Sequence, residues 1–480
     1  KRSCRKKCLT PFVRSTRRAG SRQKGSDTYF PLIANVVPAA FLVLACAITT
    51  PAPADSPQVR DEKFKADIDG MFPTLVEIRR ELHRHPELSN QEERTARYVA
   101  LRLRELGLKV KTGVGGHGVV AILDGEGPGA AQGICVAVRA DMDALPIMEA
   151  GQTEYRSENP GVMHACGHDV HVACALGVAE LLSKHRNRLP GNVKFIFQPA
   201  EEAMPATFQG DWGAKLMLVE GALEAPRPAA IFGLHCSPLA APKTGPKAGI
   251  EASLEVGKIG YSIGPASANS DRFQVIIHGK IAHGSAPHKG VDAIAVAAQA
   301  INALQMIRSR ETNTLDPIVI SIGMIQGGTR ENIISDRVEM SGTVRTYDNN
   351  LRDRIIELMH RTLAGVTSAH GATYELNYRK GYPSINNNNE LALDAIQTVE
   401  RVCGKEAVIE TIPGMGGEDF SYFADVVPGF YYRLGVANID RNIVAGVHTA
   451  EFDVDEECLK VGVMSMASMV CDFFDKHAKD

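Results

Sequence analysis

Apolar and polar positions fall into two kinds of stretch along this chain. Leu75, Ile78 and Leu82, then Val99, Leu103 and Leu106, recur at helical spacing and predict amphipathic helices over 62–85 and 90–107. Ser89 with Glu92 reads as a capping box for the second helix, and Gly107 closes it. Short continuous apolar runs then alternate with helical segments. Ile134–Val138, Val193–Phe197 and Ala230–Leu234 predict strands, and Val172–Leu182 and Lys215–Leu223 predict helices between and after them. This alternation predicts an α/β unit with a largely parallel sheet. Polar residues cluster directly after the strands: Asp141 and Asp143, Glu201 and Glu202, and His235. Parallel sheets carry their chemistry at those carboxyl ends.

Residues 240–270 are rich in Pro, Gly, Ser and Ala and mark a crossing into a second unit. There, Phe273–Ile277, Ile318–Ile322 and Arg337–Thr346 read as strands, with helices over Val291–Ser309 and Leu351–Ala369. That is a small α+β insert. Alternation resumes from 373. The run Asn386–Asn389 reads as a turn before a helix, and His448 precedes a last helix at Glu456–Phe474.

Composition changes the picture mainly at the amino end. The 480 residues are 44% hydrophobic and 23% charged, a globular composition that suits about two domains. The net charge of −3 divides into +9 over residues 1–30 and −12 over the remainder. An acidic body argues against a nucleic-acid partner. Residues 28–54 carry no charge, contain the apolar run Phe41–Ile48 and end in Ala52-Pro53-Ala54. A basic stretch, an apolar core and an A-x-A ending predict a secretory signal peptide, hence an exported protein, in the bacterial periplasm, with no stable membrane insertion once the leader is removed. A membrane anchor and lipidation at Cys46 are the alternatives; Pro31, Asn35 and Pro38 weaken the anchor. Beyond the leader, seven sparsely placed cysteines do not form a disulfide framework.

Four segments can carry chemistry. Arg139–Pro146 places Asp141 and Asp143 after a strand. His164–Asp169 sets Cys166 two residues before His168, a soft, compact ligand pair suited to zinc or another divalent transition ion; a nucleophilic Cys166 is the alternative, and a purely structural cluster the plainer one. Glu201 and Glu202, being adjacent, point in different directions, so one can bind a metal while the other moves a proton. His235 and His448 follow strand ends. Five ligands exceed one tetrahedral site, so two metals sharing ligands is the natural reading.

These segments resemble the metal-dependent amidohydrolase and peptidase family of aminoacylase and carboxypeptidase G, nearest its hippurate hydrolase and indole-acetyl-amino-acid hydrolase branch. The likeness spans roughly residues 65–475 and rests on His83–Leu88, Arg139–Pro146, His164–His171, Pro199–Glu202, Gly233–His235, Ala282–His288, Gly327–Asp336, Gly416–Phe420 and His448–Phe452, in order. It implies a two-metal, aminopeptidase-like α/β catalytic domain (55–250 and 366–480) with an inserted α+β lid and dimerisation domain (251–365), after the leader at 1–54. It implies two divalent ions, zinc or manganese, held by Cys166, His168, Glu202, His235 and His448. Glu201 would be the general base and Asp143 the acid that orients a ligand. His283 and Asn332 would contact substrate from the lid. Ser335 stands where the family commonly has Pro. The expected reaction is hydrolysis of N-acyl or N-aroyl amino acids by a homodimer joined through the lid. A carboxypeptidase, dipeptidase or carbamoylase of the same fold is the nearest rival, and a metal-containing peptide-binding protein the non-enzymatic one.

Overall fold

The computed structural model describes residues 56–202, 210–246 and 248–477. The expected leader at 1–54, with Cys46, lies outside the described residues. Among the described residues no helix is long and apolar enough to cross a membrane.

Two helices open the body: α1 (Pro57–Arg84) and α2 (Glu93–Glu105). A hairpin of β1 (Lys109–Val114) and β2 (Gly118–Leu123) follows, then β3 (Cys135–Asp141), α3 (His168–Lys184), β4 (Asn192–Gln198), α4 (Gly213–Val219) and β5 (Ala230–Ser237). These strands and three later ones form a sheet of eight in the order β1, β2, β4, β3, β5, Gly429–Gly435, Ile259–Tyr261, Val408–Glu410. β4, β3, β5 and Gly429–Gly435 run parallel at its centre. Every residue of β3 is buried, its apolar start Cys135–Val138 between two helical layers and its Arg139 and Asp141 paired with each other. α1, α2, α3 and the helices Asn389–Cys403 and Cys458–His477 cover one face through Leu75, Val99, Leu176, Val399 and Val463. α4 and the short helix Phe420–Ala424 cover the other through Met217, Phe420 and Phe423. The expected parallel α/β sheet is therefore present.

Three local features depart from the sequence reading. β1 and β2 were not predicted, because β1 carries exposed Lys109, Lys111 and Thr112 and shows no clean apolar alternation. α2 starts at Glu93, and its preceding residue makes no side-chain cap; Ser89 and Glu92 are engaged elsewhere. α3 starts at His168, four residues before the predicted start. The chain turns into it through Gly167 at φ +80°, where a Cβ would sit 2.9 Å from Cys236 Cβ.

The insert is a four-stranded antiparallel sheet ordered Ile318–Gly327, Arg337–Thr346, Asp271–His278, Thr373–Arg379, backed by helices α5 (Ala293–Met306) and α6 (Asn349–Ala369). The last strand lies beyond residue 365, the expected end of the lid, and Ile259–Tyr261 pairs within the large sheet although it lies past 250. Apolar patterning marks neither boundary, because Thr373–Arg379 alternates around polar residues as an edge strand does.

The lid has a buried ionic anchor. Asp271 accepts from both sides of the Arg352 guanidinium, from Tyr378 Oη (2.7 Å) and from the Gly381 backbone N–H (3.0 Å). Arg352 also donates to the Gly381 carbonyl (2.9 Å). Removing one partner strands a buried charge, which costs about 3–5 kcal/mol. Asp271→Ala should destabilise the lid by that order, read as a lower denaturant midpoint for the protein; an unchanged midpoint would show that the pair contributes nothing.

Candidate active site

The carboxyl ends of the parallel strands gather the polar residues that follow them. β3 delivers Asp141 and Asp143, β4 delivers Glu201 and Glu202, and β5 delivers His235 near its end. The loop before α3 brings Cys166 and His168, and the loop before the last helix brings His448. Cys166 Sγ lies 3.3 Å from His235 Nε2 and 3.3 Å from His448 Nε2. Glu202 Oε1 lies 3.3 Å from His448 Nε2 and 3.8 Å from His168 Nε2. Two ligand-capable triads thus share the one thiol: Cys166, His168 and His235, and Cys166, Glu202 and His448.

Hydrogen bonds orient these rings. His235 Nδ1 lies 2.6 Å from the Cys236 carbonyl, which only accepts, so Nδ1 carries the proton and Nε2 turns a lone pair toward Cys166. The Cys236 backbone N–H donates to His171 Nε2 (2.8 Å), so His171 directs its Nδ1 proton to Asp141 (2.5 Å). His168 Nδ1 lies 3.3 Å from Asp143 Oδ1. Asp143 is itself fixed by Ser89 Oγ (2.6 Å) and the Glu202 backbone N–H (3.0 Å).

The donor set fits divalent ions. His168 is buried, and its Nε2, the nitrogen turned away from Asp143, has no hydrogen-bond partner. Orphaned buried groups of this kind are costly unless a cation completes them. Burial opposes charge on His168, but Asp141, Asp143 and Glu202 outweigh it and raise its pKa to about 10. Burial, then Glu202 and Glu201, push the Cys166 thiol up, the reverse of what a nucleophilic thiolate needs; a bound cation reverses that direction. Burial and the neighbouring Glu418, Glu202 and Asp419 raise Glu201 well above the usual carboxylate range.

Beneath the ligands sits Arg139, fully buried on β3. It donates to Gln198 Oε1 (2.8 Å), Asp141 Oδ2 (2.5 Å), Glu418 Oε1 (3.0 Å) and Asp419 Oδ1 (2.9 Å). Asp419 further accepts from Gln198 Nε2 and from the Ala214 backbone N–H. Of this group only Asp141 drew attention as a sequence candidate. Glu418 and Asp419 follow no strand, and only their presence in the Gly416–Phe420 segment pointed to them. Ser89 and Glu92 were also missed. Glu92 accepts from the backbone N–H of Asn90 (2.9 Å) and of Ala200 (2.8 Å), holding Ala200 at φ +54° just before Glu201. His448 stands at φ +64°, tied to the Ala165 carbonyl by its backbone N–H (2.8 Å). Such non-glycine conformations cost of order 1–3 kcal/mol and persist where surrounding bonds over-determine them.

A cavity of about 280 Å³ opens over the site, lined by Cys166, Glu201, Glu202, His235, His448, Tyr382, Tyr431 and Arg433 among others. His283 and Asn332 are not among its lining residues. They are exposed on the lid, side by side, where Ala282–His283 pairs with Ile333–Ile334 and the Gly284 backbone N–H bonds the Asn332 carbonyl (2.7 Å). Ser285 N–H donates to His283 Nδ1 (3.1 Å), so a neutral His283 carries its proton on Nε2.

Fold and site together define a metal-dependent hydrolase. The model of peptidase family M20/M25/M40 matches residues 137–472, and the chain belongs to that family. It is 38% identical over 417 residues to thermostable carboxypeptidase 2 of Saccharolobus solfataricus, covering 86% of this chain and 99% of that one. It is 40% identical over 329 residues to the N-acyl-L-amino acid amidohydrolase of Geobacillus stearothermophilus, covering 68% and 82%. The crystal structure of a dinuclear metal-binding M20 peptidase from Bacillus subtilis superposes with a TM-score of 0.70 at 34% identity, over 85% and 99% of the two chains. The protein is thus a metal-dependent enzyme of the amidohydrolase and metallopeptidase group, in the aminoacylase and hippurate hydrolase branch.

Arg139 offers a direct test of this geometry. Arg139→Met removes the buried counter-charge of Asp141, Glu418 and Asp419 and should cost about 3–5 kcal/mol. A thermal melt would show it as a large fall in Tm; a melt matching the wild type would contradict the network.

Proposed function

We propose that this protein hydrolyses the amide bond of N-acyl or N-aroyl amino acids of the hippurate type, releasing a carboxylic acid and an amino acid. The carrying observation is Glu201, buried in the same cavity as four of the five convergent side chains, Cys166, Glu202, His235 and His448. Cys166, His168, Glu202, His235 and His448 would hold two divalent ions, zinc or manganese. Bound there, the ions supply Lewis-acid polarisation of the carbonyl and lower the pKa of water. Glu201 takes the proton of the attacking water and returns it to the leaving amine. Asp143 orients His168, and Tyr382, whose hydroxyl donates to the Glu201 carbonyl (2.7 Å), steadies the loop that carries the base. A carboxypeptidase activity would use the same residues, and the 38% identical carboxypeptidase keeps it as the second reading. A panel of hippurate, N-acetyl amino acids and dipeptides separates the two.

The lid supports a homodimer. Its edge strand Ile318–Gly327 leaves Met324 and Ile325 exposed, and Leu315, in the turn before that strand, is 86% exposed. In that arrangement His283 and Asn332, absent from their own chain's cavity, serve the cavity of the second copy, with His283 Nε2–H donating to the developing oxyanion. The basic leader and apolar run before residue 55 support export.

Two measurements test the reading. Glu201→Gln should retain wild-type metal content by elemental analysis and lose about 10²–10⁴-fold in kcat; full turnover would refute the base assignment. Co-expressed Glu201→Gln and His283→Ala chains, each inactive alone, should regain activity in mixed dimers, where one site combines both intact residues. Mixed dimers without activity would refute action across the dimer.

A further inference from the structure

The cavity over the ligand cluster runs on along the carboxyl edge of the large sheet, past His235. Arg433, on the strand Gly429–Gly435, lines that far end. In the sheet register it stands directly opposite His235 on one side and Gly260 on the other. Register neighbours share a face of the sheet, so the guanidinium and the His235 ring enter the cavity side by side. Gly260, Gly414, Gly416 and Gly417 also line the cavity, and without side chains they leave it wide. A Cβ at Gly414 would sit 2.9 Å from Arg433 Nη2, so the guanidinium lies against that loop with nothing between them.

This cation has no anion. Arg433 Nη1 donates to Ser237 Oγ at 3.5 Å, the long limit of a hydrogen bond, and Ser237 gives its own proton to the Leu239 carbonyl. Among the described residues no carboxylate lies within ion-pairing distance of Arg433. Arg139, on β3 of the same sheet, is the contrast: it meets Asp141, Glu418 and Asp419. Burial pulls Arg433 below the usual guanidinium range, and Tyr431, Glu251 and Tyr347 offset it only in part. A largely buried charge without a partner is costly. Here it faces the space that a substrate enters.

Sheet order decides which half of the substrate meets it. The strands run β4, β3, β5, Gly429–Gly435 along the edge. Glu201 follows β4, so base and guanidinium stand three strand steps apart, roughly 14 Å at the usual spacing. The leaving amine must reach Glu201 to take its proton, which puts the amino-acid half toward β4 and the acyl half toward Arg433. We infer that Arg433 is the specificity determinant of the acyl pocket and selects acyl groups that carry a carboxylate of their own: monoamides of a dicarboxylic acid with an amino acid. The inference rests on the amidohydrolase reading above. A planar guanidinium pairs bidentately with such a carboxylate. The neutral isostere leaves the buried cation without its partner and is rejected.

The test measures kcat/KM of the metal-loaded enzyme for two matched pairs, N-succinylglycine against N-succinamoylglycine and 4-carboxybenzoylglycine against 4-carbamoylbenzoylglycine. Glycine is common to all four, so only the acyl charge varies within a pair. The wild type should prefer the acid by about ten-fold or more in at least one pair. Arg433→Gln should reduce that preference to within about two-fold, through a higher KM for the acid, and Arg433→Lys should restore part of it. No wild-type preference in either pair, or a preference intact in Arg433→Gln, would overturn the assignment. So would a KM raised equally for acid and amide, which would place Arg433 at the carboxylate of the amino-acid half. Cleavage of hippurate but of none of the four would overturn the acyl pocket alone. Cleavage of no N-acyl amino acid at all would overturn the amidohydrolase reading and the pocket with it.

Discussion

The structure depends on negative charge packed beneath the carboxyl edge of a parallel sheet. Asp141, Asp143, Glu201, Glu418 and Asp419 are buried there, with Glu202 at their margin. Carboxylates out of water carry a desolvation penalty of several kcal/mol each unless cations or donors answer them. Arg139 answers three of them from below. Above, the acids meet imidazoles and a thiol whose lone pairs converge, an arrangement that makes energetic sense around divalent ions.

Much local geometry follows from holding that cluster in place. Gly167 turns the chain so that His168 opens α3 against Cys236. Ala200 and His448 adopt left-handed backbone and are pinned by Glu92 and by the Ala165 carbonyl. The Cys236 peptide serves two rings: its N–H sets the tautomer of His171 and its carbonyl that of His235. The outer layer is thus mostly backbone and strand-borne side chains, which are rigid supports for a site.

The parallel sheet and the convergence of Cys166, His168, Glu202, His235 and His448 were legible because both leave short-range marks: continuous apolar runs, and polar residues placed just after them. Cys166 and His168 are two residues apart, and Glu201 and Glu202 adjacent, so local spacing carried their chemistry. Ser89 and Glu92 show the opposite case. Their spacing matches a helix cap, but their partners, Asp143 and Ala200, lie 54 and 108 residues away, and the tertiary bonds prevail. The β1–β2 hairpin was illegible because its edge strand is too exposed to alternate. His283 and Asn332 were legible as motif residues, yet the structure places both exposed on the lid, outside the lining of the cavity.

The most direct measurement is a calorimetric titration of metal-stripped protein with zinc or manganese, in buffers of different ionisation enthalpy. Two ions per chain should bind with saturation and release protons, because Cys166 and His168 hold protons that metal ligands must lose. Binding of no ion, or uptake without proton release, would contradict a thiolate-centred two-metal site.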